Sequence, residues 1–158
     1  QRDRDGVSGM KAFGWAKDAS KLTVVKNVVP SWVTTADYLY VSMHYGSVPQ
    51  TMDDQTTAEM TYSGYARQPI QRVASKWTLI EPGSTPPYYR YTDAITFPAP
   101  VGSIPSGQEV CTHLAIGLNE TGAGTRLLVS ELYFPSGVTL VVGSTITVPA
   151  NFLRVMED

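Results

Sequence analysis

The chain has 158 residues and 17.2 kDa, the size of a single domain that buries roughly 70% of its unfolded surface without needing staples. Its 12 basic and 14 acidic residues give a net charge of -2 and a pI near 5.6, which supplies no pull toward phosphate backbones or anionic lipid, so neither nucleic acid nor membrane is an expected partner. One cysteine allows no intrachain disulfide, no apolar run approaches the ~18 residues of a membrane span, and the charged opening QRDRDGVSG lacks the apolar stretch of a signal peptide. A soluble, unexported protein assembled in a reducing cytoplasm is expected.

Residues 1–19 mix charges and glycines around Met10, Phe13 and Trp15 with no period of 2 or 3.6, so they read as an extended arm. Leu22, Val25, Val28 and Val29 recur at helical spacing between a capping Ser20 and the breaker Pro30, which predicts a short helix over 20–29. After Pro30 strand signals take over. In YLYVSMHY, Leu39, Val41 and Met43 alternate with Tyr40, Ser42 and His44, predicting one core face and one wet face. Further strands are expected at 64–73, 76–80, 91–97, 126–132, 138–142, 144–149 and 151–156. Pro69 inside YARQPIQRV cannot donate to a ladder, which predicts an edge strand, a bulge or two short strands.

Over 110–118 the same alternation puts Val110, Leu114, Ile116 and Leu118 on one face and Cys111, His113, Ala115 and Gly117 on the other. Clusters such as EPGSTPP, PVGSIPSG, NETGAG and FPSG punctuate the segments. With 13 Gly, 11 Pro, 9 Tyr and only 16% charged residues, this pattern predicts an all-β chain: a sandwich or barrel at 20–158 behind the arm. Its core should contain Leu39, Val41, Met43, Ile95, Phe97, Leu114, Ile116 and Ile146.

Few residues suggest chemistry. Cys111 and His113, two apart, would share a strand face as a thiol and a base, but a working dyad also needs an orienting group and an oxyanion hole. A free cysteine acting as a small apolar filler is the favoured reading. Two histidines with no CxxC or HExxH spacing predict no metal and no cofactor. Asp53, Asp54 and Glu59 in MDDQTTAE read as a solvated loop, and Gly122 and Gly124 in NETGAGT as a hairpin turn. The tyrosines Tyr88, Tyr89 and Tyr91, like Met10, Phe13 and Trp15, are candidate interface residues, because proteins and sugars are both met by exposed aromatics.

The order YLYVSMHYG, AEMTYSGYARQPI, a Trp in KWT, AITFP, THLAIGL and LLVSEL resembles a group of small tailed-bacteriophage virion proteins that includes jelly-roll capsid decoration, cement or stapling proteins. Its most specific strings are 62–67, 95–98 and 112–117, and none is a catalytic signature. The resemblance implies a jelly-roll-like β-sandwich, made in the host bacterial cytoplasm and carried on the capsid exterior of the virion. It further implies binding to the major capsid protein and to itself as a symmetric homo-oligomer, a dimer ahead of a trimer. Catalysis is not expected. The alternative is a receptor- or glycan-binding module of a tail fibre or adaptor, with Tyr88, Tyr89 and Tyr91 stacking on sugar rings.

Overall fold

The computed structural model describes residues 10–12, 38–46, 54–71, 73–80, 88–124, 126–130 and 137–156. Among these the regular structure is strand, with one short 3-10 turn at Ala74–Lys76 and no α-helix. The expected all-β character is therefore present, while the helix expected over 20–29 lies outside the described residues. Twelve strands are described: β1 Met10–Ala12, β2 Tyr38–His44, β3 Gln68–Gln71, β4 Trp77–Ile80, β5 Tyr88–Tyr91, β6 Ile95–Phe97, β7 Val110–Cys111, β8 His113–Gly117, β9 Arg126–Ser130, β10 Val138–Thr139, β11 Ile146–Val148 and β12 Arg154–Met156.

Eight of them form one sheet in the order β3-β2-β8-β9-β1-β12-β5-β4, and two short ladders, β10 with β7 and β11 with β6, stand beside it. All pairings are antiparallel except β1 with β12. β1 falls within the segment expected to be an arm outside the fold. Its backbone instead fills the place between β9 and β12, so residues 10–12 are held by their own chain. Phe13 and Trp15 lie outside the described residues. Truncating 1–19 would therefore remove this strand.

β3 carries Pro69 opposite Tyr40 and stands at one end of the eight-stranded order, the position a residue without an N–H tolerates. The alternation in β2 and β8 is read correctly on its apolar side. Leu39 faces Ile70, Val41 faces Ile116 and Met43 faces Leu114 across the ladders, and all six are buried. Ile95 and Phe97 of β6 and Ile146 and Val148 of β11 join the same cluster, which places the core between the β3-β2-β8 end of the sheet and the short ladders. Ile116 is fully enclosed. Ile116→Ala should cost about 2–5 kcal/mol in a urea unfolding titration. A loss under about 0.5 kcal/mol would contradict its enclosure.

Two expectations fail. The face of β2 predicted to be wet is closed: Ser42 and His44 are fully buried, as is Ala115 opposite Ser42. The turn at 54–60 covers them, and their polar atoms are paired, Ser42 Oγ with His44 Nε2 at 2.7 Å and His44 Nδ1 with the Thr57 carbonyl at 2.9 Å. The run 110–118 is not one strand but two, in different sheets. Thr112 is the joint, its N–H donating to the His44 carbonyl at 2.9 Å and its hydroxyl to the Gly46 carbonyl at 2.9 Å. Parity is lost across the joint, so Cys111 is enclosed, and Leu118, beyond the end of β8, is exposed.

Candidate functional site

The densest polar cluster lies where the 54–67 segment meets the loop at 118–124. Residues 54–57 make a tight turn: the Asp54 carboxylate accepts from both the N–H and the hydroxyl of Thr56, at 2.8 and 2.7 Å. Those bonds hold its carboxyl below the usual range. The turn then passes through Ala58 in the left-handed region, φ 54°, an alanine conformation that costs roughly 1–2 kcal/mol. Glu59 follows and is turned inward.

Arg67 meets Glu59 as a bidentate pair, Nε to Oε1 and an Nη2 to Oε2 at 2.7 Å each, with both side chains buried. Arg67 Nη1 also donates to the Asn119 carbonyl and Nη2 to the Gly122 carbonyl, each at 2.8 Å. The Tyr65 hydroxyl donates to Glu59 Oε1 at 2.8 Å and accepts the Met43 N–H at 3.1 Å. Beside this, Gln55 exchanges bonds with the backbone of Asn119, donating to its carbonyl and accepting its N–H. Gly117 and Gly124 make room for that amide: a Cβ on either would collide with the Gln55 side chain. A cleft of about 340 Å³ opens over the cluster, with Thr56, Tyr65, Arg67 and Thr121 in its lining.

Chemically, the cluster is a clasp. Glu59 accepts three donors and every guanidinium nitrogen of Arg67 is bonded, so the strongest charges in the cleft are committed to one another and to the 118–124 loop. The side-chain bond to the Glu59 carboxylate is the main cause that raises the Arg67 pKa, which keeps the guanidinium charged. Burial, and then the Glu59 charge, pushes the Tyr65 hydroxyl well above its ordinary range, so it stays a donor.

Other sequence candidates fall as follows. Cys111 is enclosed, its thiol directed at the His113 carbonyl at 3.4 Å, while His113 Nδ1 is bonded to the Thr112 hydroxyl at 2.8 Å. Burial pushes the thiol up to about 12, so it stays protonated as an apolar filler. Among the described residues no three His, Cys, Asp or Glu side chains are grouped to hold a metal. No described helix is long and apolar enough to cross a membrane.

Glu59, expected in a solvated loop, is buried because Arg67 and Tyr65 receive it. Asp53 lies outside the described residues. Of the interface candidates, Met10 lies in β1 and Tyr88 in β5. Tyr89 and Tyr91 are buried, because β5 is flanked by β12 and β4. Tyr91 packs on Trp77 at 5.1 Å and accepts the Gln71 N–H. Two of the proposed stacking rings thus belong to the protein's own packing. Sequence reasoning missed the Glu59–Arg67 pair and Gln55. The signal available was an acid and an arginine separated by the turn-forming SGY.

The buried tyrosines set an alkaline limit. Burial, then the nearby Cys111 group, pushes Tyr62 up from 10.0 to about 12, and burial also raises Tyr91. A folded-state pKa above the unfolded value gives stability that is complete below the unfolded pKa and is lost as pH rises through the folded one. Thermal melting should therefore hold steady from neutral pH to about 9, where the thiol of unfolded Cys111 begins to ionise, and fall from there toward about 12 as the tyrosines follow. Tyr62→Phe should remove part of that fall.

No family model matches the chain, and no curated protein matches it.

Proposed function

We propose that the chain is a structural virion protein that binds the outer surface of a tailed-phage capsid and cements neighbouring capsomers, its strands arranged as a jelly-roll-like sandwich. The observation that carries this reading is that the three strings of the phage resemblance serve as framework, two of them packed on each other and the third a buried strand. Tyr62 donates to the Pro98 carbonyl at 2.7 Å, Tyr65 stacks on Phe97, and the Val101 N–H donates to the Ser63 carbonyl at 2.8 Å. The 112–117 string supplies β8 and its buried Leu114 and Ile116. The shared residues therefore build a scaffold and a clasp, the parts that a protein acting through shape and buried area has to keep.

Cementing is a thermodynamic function. A subunit that binds the assembled shell but not its parts stabilises the shell by mass action, about 2.7 kcal/mol per site at a hundredfold excess over Kd. The partner in this reading is the major capsid protein, and the location is the capsid exterior. The glycan-binding alternative, resting on Tyr88, Tyr89 and Tyr91, is weakened because Tyr89 and Tyr91 are buried.

Quantifying this polypeptide in purified particles by stained gel separates the two. Cement is expected in hundreds of copies per virion, with loss of particle heat resistance when it is stripped and recovery when it is added back. Only a few or tens of copies, or full heat resistance without it, would overturn the proposal.

A further inference from the structure

Arg90 of β5 and Arg154 of β12 stand directly opposite each other in the antiparallel β5–β12 ladder. Their neighbours Tyr89, Tyr91 and Leu153 are buried in the core, and successive side chains of a strand leave opposite faces, so both arginines leave the sheet on the side away from that core. Thr78 of β4 is the partner of Arg90 on its other side, which makes Arg154, Arg90 and Thr78 one row across three strands. Directly opposed side chains begin roughly 4.5–5.5 Å apart at Cβ, and like charges at that spacing repel.

The row holds no acid to offset them. β4, β5 and β12 carry no Asp or Glu, and Asp93, just past β5, is committed to Lys76 at 2.6 Å. Nor is the pair left to water. Both arginines are half-buried and the Nε atoms of both are shut off from solvent, that of Arg90 with no hydrogen-bond partner among the described residues. A buried guanidinium N–H without an acceptor, beside a second guanidinium, is costly twice over, in desolvation and in repulsion, and one anion between them relieves both.

We infer that Arg90 and Arg154, with the Thr78 hydroxyl at their edge, form a binding site for a small doubly charged oxyanion of the phosphate type, free or as a monoester. A dianion neutralises both guanidiniums, whereas a single carboxylate leaves one of them uncompensated. A tetrahedral group also offers separate oxygen edges to two planar forks, and the arginine fork matches phosphate oxygens in pairs. The net charge of -2 supplies no long-range attraction, so recognition here is local, by paired donors rather than by a basic field. The inference does not depend on the capsid reading, because it concerns the isolated protein.

Calorimetric titration of the purified chain with inorganic phosphate, at an ionic strength held constant with chloride, tests it. Saturable binding is expected, severalfold tighter at about pH 8 than at about pH 5, because phosphate gains its second charge over that range while the arginines stay charged throughout. Acetate should bind at least about tenfold more weakly. Glycerol phosphate, run beside the free anion, separates the two sources: tighter binding of either one supports the site and names its ligand. Arg90→Met and Arg154→Met should each weaken phosphate at least about tenfold, and Arg90→Lys, which keeps the charge but loses the fork, by a smaller factor. In chloride alone Arg90→Met should melt no lower than the parent, since it removes a buried donor and a like charge together. Absence of saturable binding at tens of millimolar phosphate, acetate binding as tightly as phosphate, or binding undiminished in both methionine variants would each overturn the inference. So would a marked loss of melting temperature or of folding in Arg90→Met in chloride, which would show its guanidinium to be satisfied within the chain.

Discussion

Replacing Arg67 with methionine is expected to cost about 3–5 kcal/mol of folding free energy, among the largest losses any single side chain of this protein should give. The guanidinium is buried against a carboxylate that is itself buried, and its removal leaves Glu59 with Tyr65 as its side-chain donor among the described residues. An uncompensated buried charge is the costly outcome; the attraction within the pair is not the main quantity lost. Two further bonds, to the carbonyls of Asn119 and Gly122, disappear at the same time. Amides at 119–124 should therefore exchange faster in Arg67→Met than global destabilisation alone predicts. The double variant R67M/E59L removes both charges and should recover most of the loss, because a buried ion pair replaced by apolar side chains is often close to neutral. Urea titrations of the two single variants and the double variant close the cycle. A loss below about 1 kcal/mol for Arg67→Met, or no recovery in the double variant, would mean that the pair is as wet as a surface salt bridge.

The same pair shows what the sequence could not reveal. Strand alternation is a local signal, and where one face of a ladder meets the core it was legible: Leu39, Val41, Met43, Leu114 and Ile116 are all buried as their spacing predicts. Pro69 was legible too, because a missing N–H constrains its strand to an edge whatever surrounds it. The opposite face of β2 was not. Ser42 and His44 are polar by composition, and only the arrival of the 54–60 turn, which alternation does not report, makes them interior. Glu59 and Arg67 look like two solvated charges until a turn folds one onto the other. The continuous apolar spacing of 110–118 concealed a change of sheet, because the Thr112 joint is fixed by carbonyls from a distant strand. The burial of Tyr89 and Tyr91 was hidden for a similar reason: an aromatic in a strand is equally ready to be core or surface, and what packs on it decides.

Phe97→Ala should lose about 3–5 kcal/mol and, unlike the Arg67 variant, should not be rescued by any second polar change. Phe97 is fully enclosed, and it lies in a strand of only three residues, so this ring carries much of the attachment of the β6–β11 ladder to the rest of the core. Its ring is parallel to Tyr65 at 6.4 Å, Tyr65 meets Tyr62 edge to face at 5.3 Å, and Tyr62 returns to the backbone beside Phe97 through the Pro98 carbonyl. The three rings form one closed unit, so their substitutions should not add. Tyr62→Phe alone loses a hydrogen bond, about 1 kcal/mol. Combined with Phe97→Ala it should show a coupling of about 0.5–3 kcal/mol, because the cavity left by Phe97 lets Tyr62 and Tyr65 shift. Hydrogen exchange gives the spatial check. Amides of Ile146–Val148 should lose protection in Phe97→Ala well before those of β2 and β8, since the ladder hangs on that ring while the large sheet keeps its own pairings. A uniform loss of protection across both, with no coupling to Tyr62, would show instead that the ladder and the large sheet unfold as one unit and that Phe97 is an ordinary core residue.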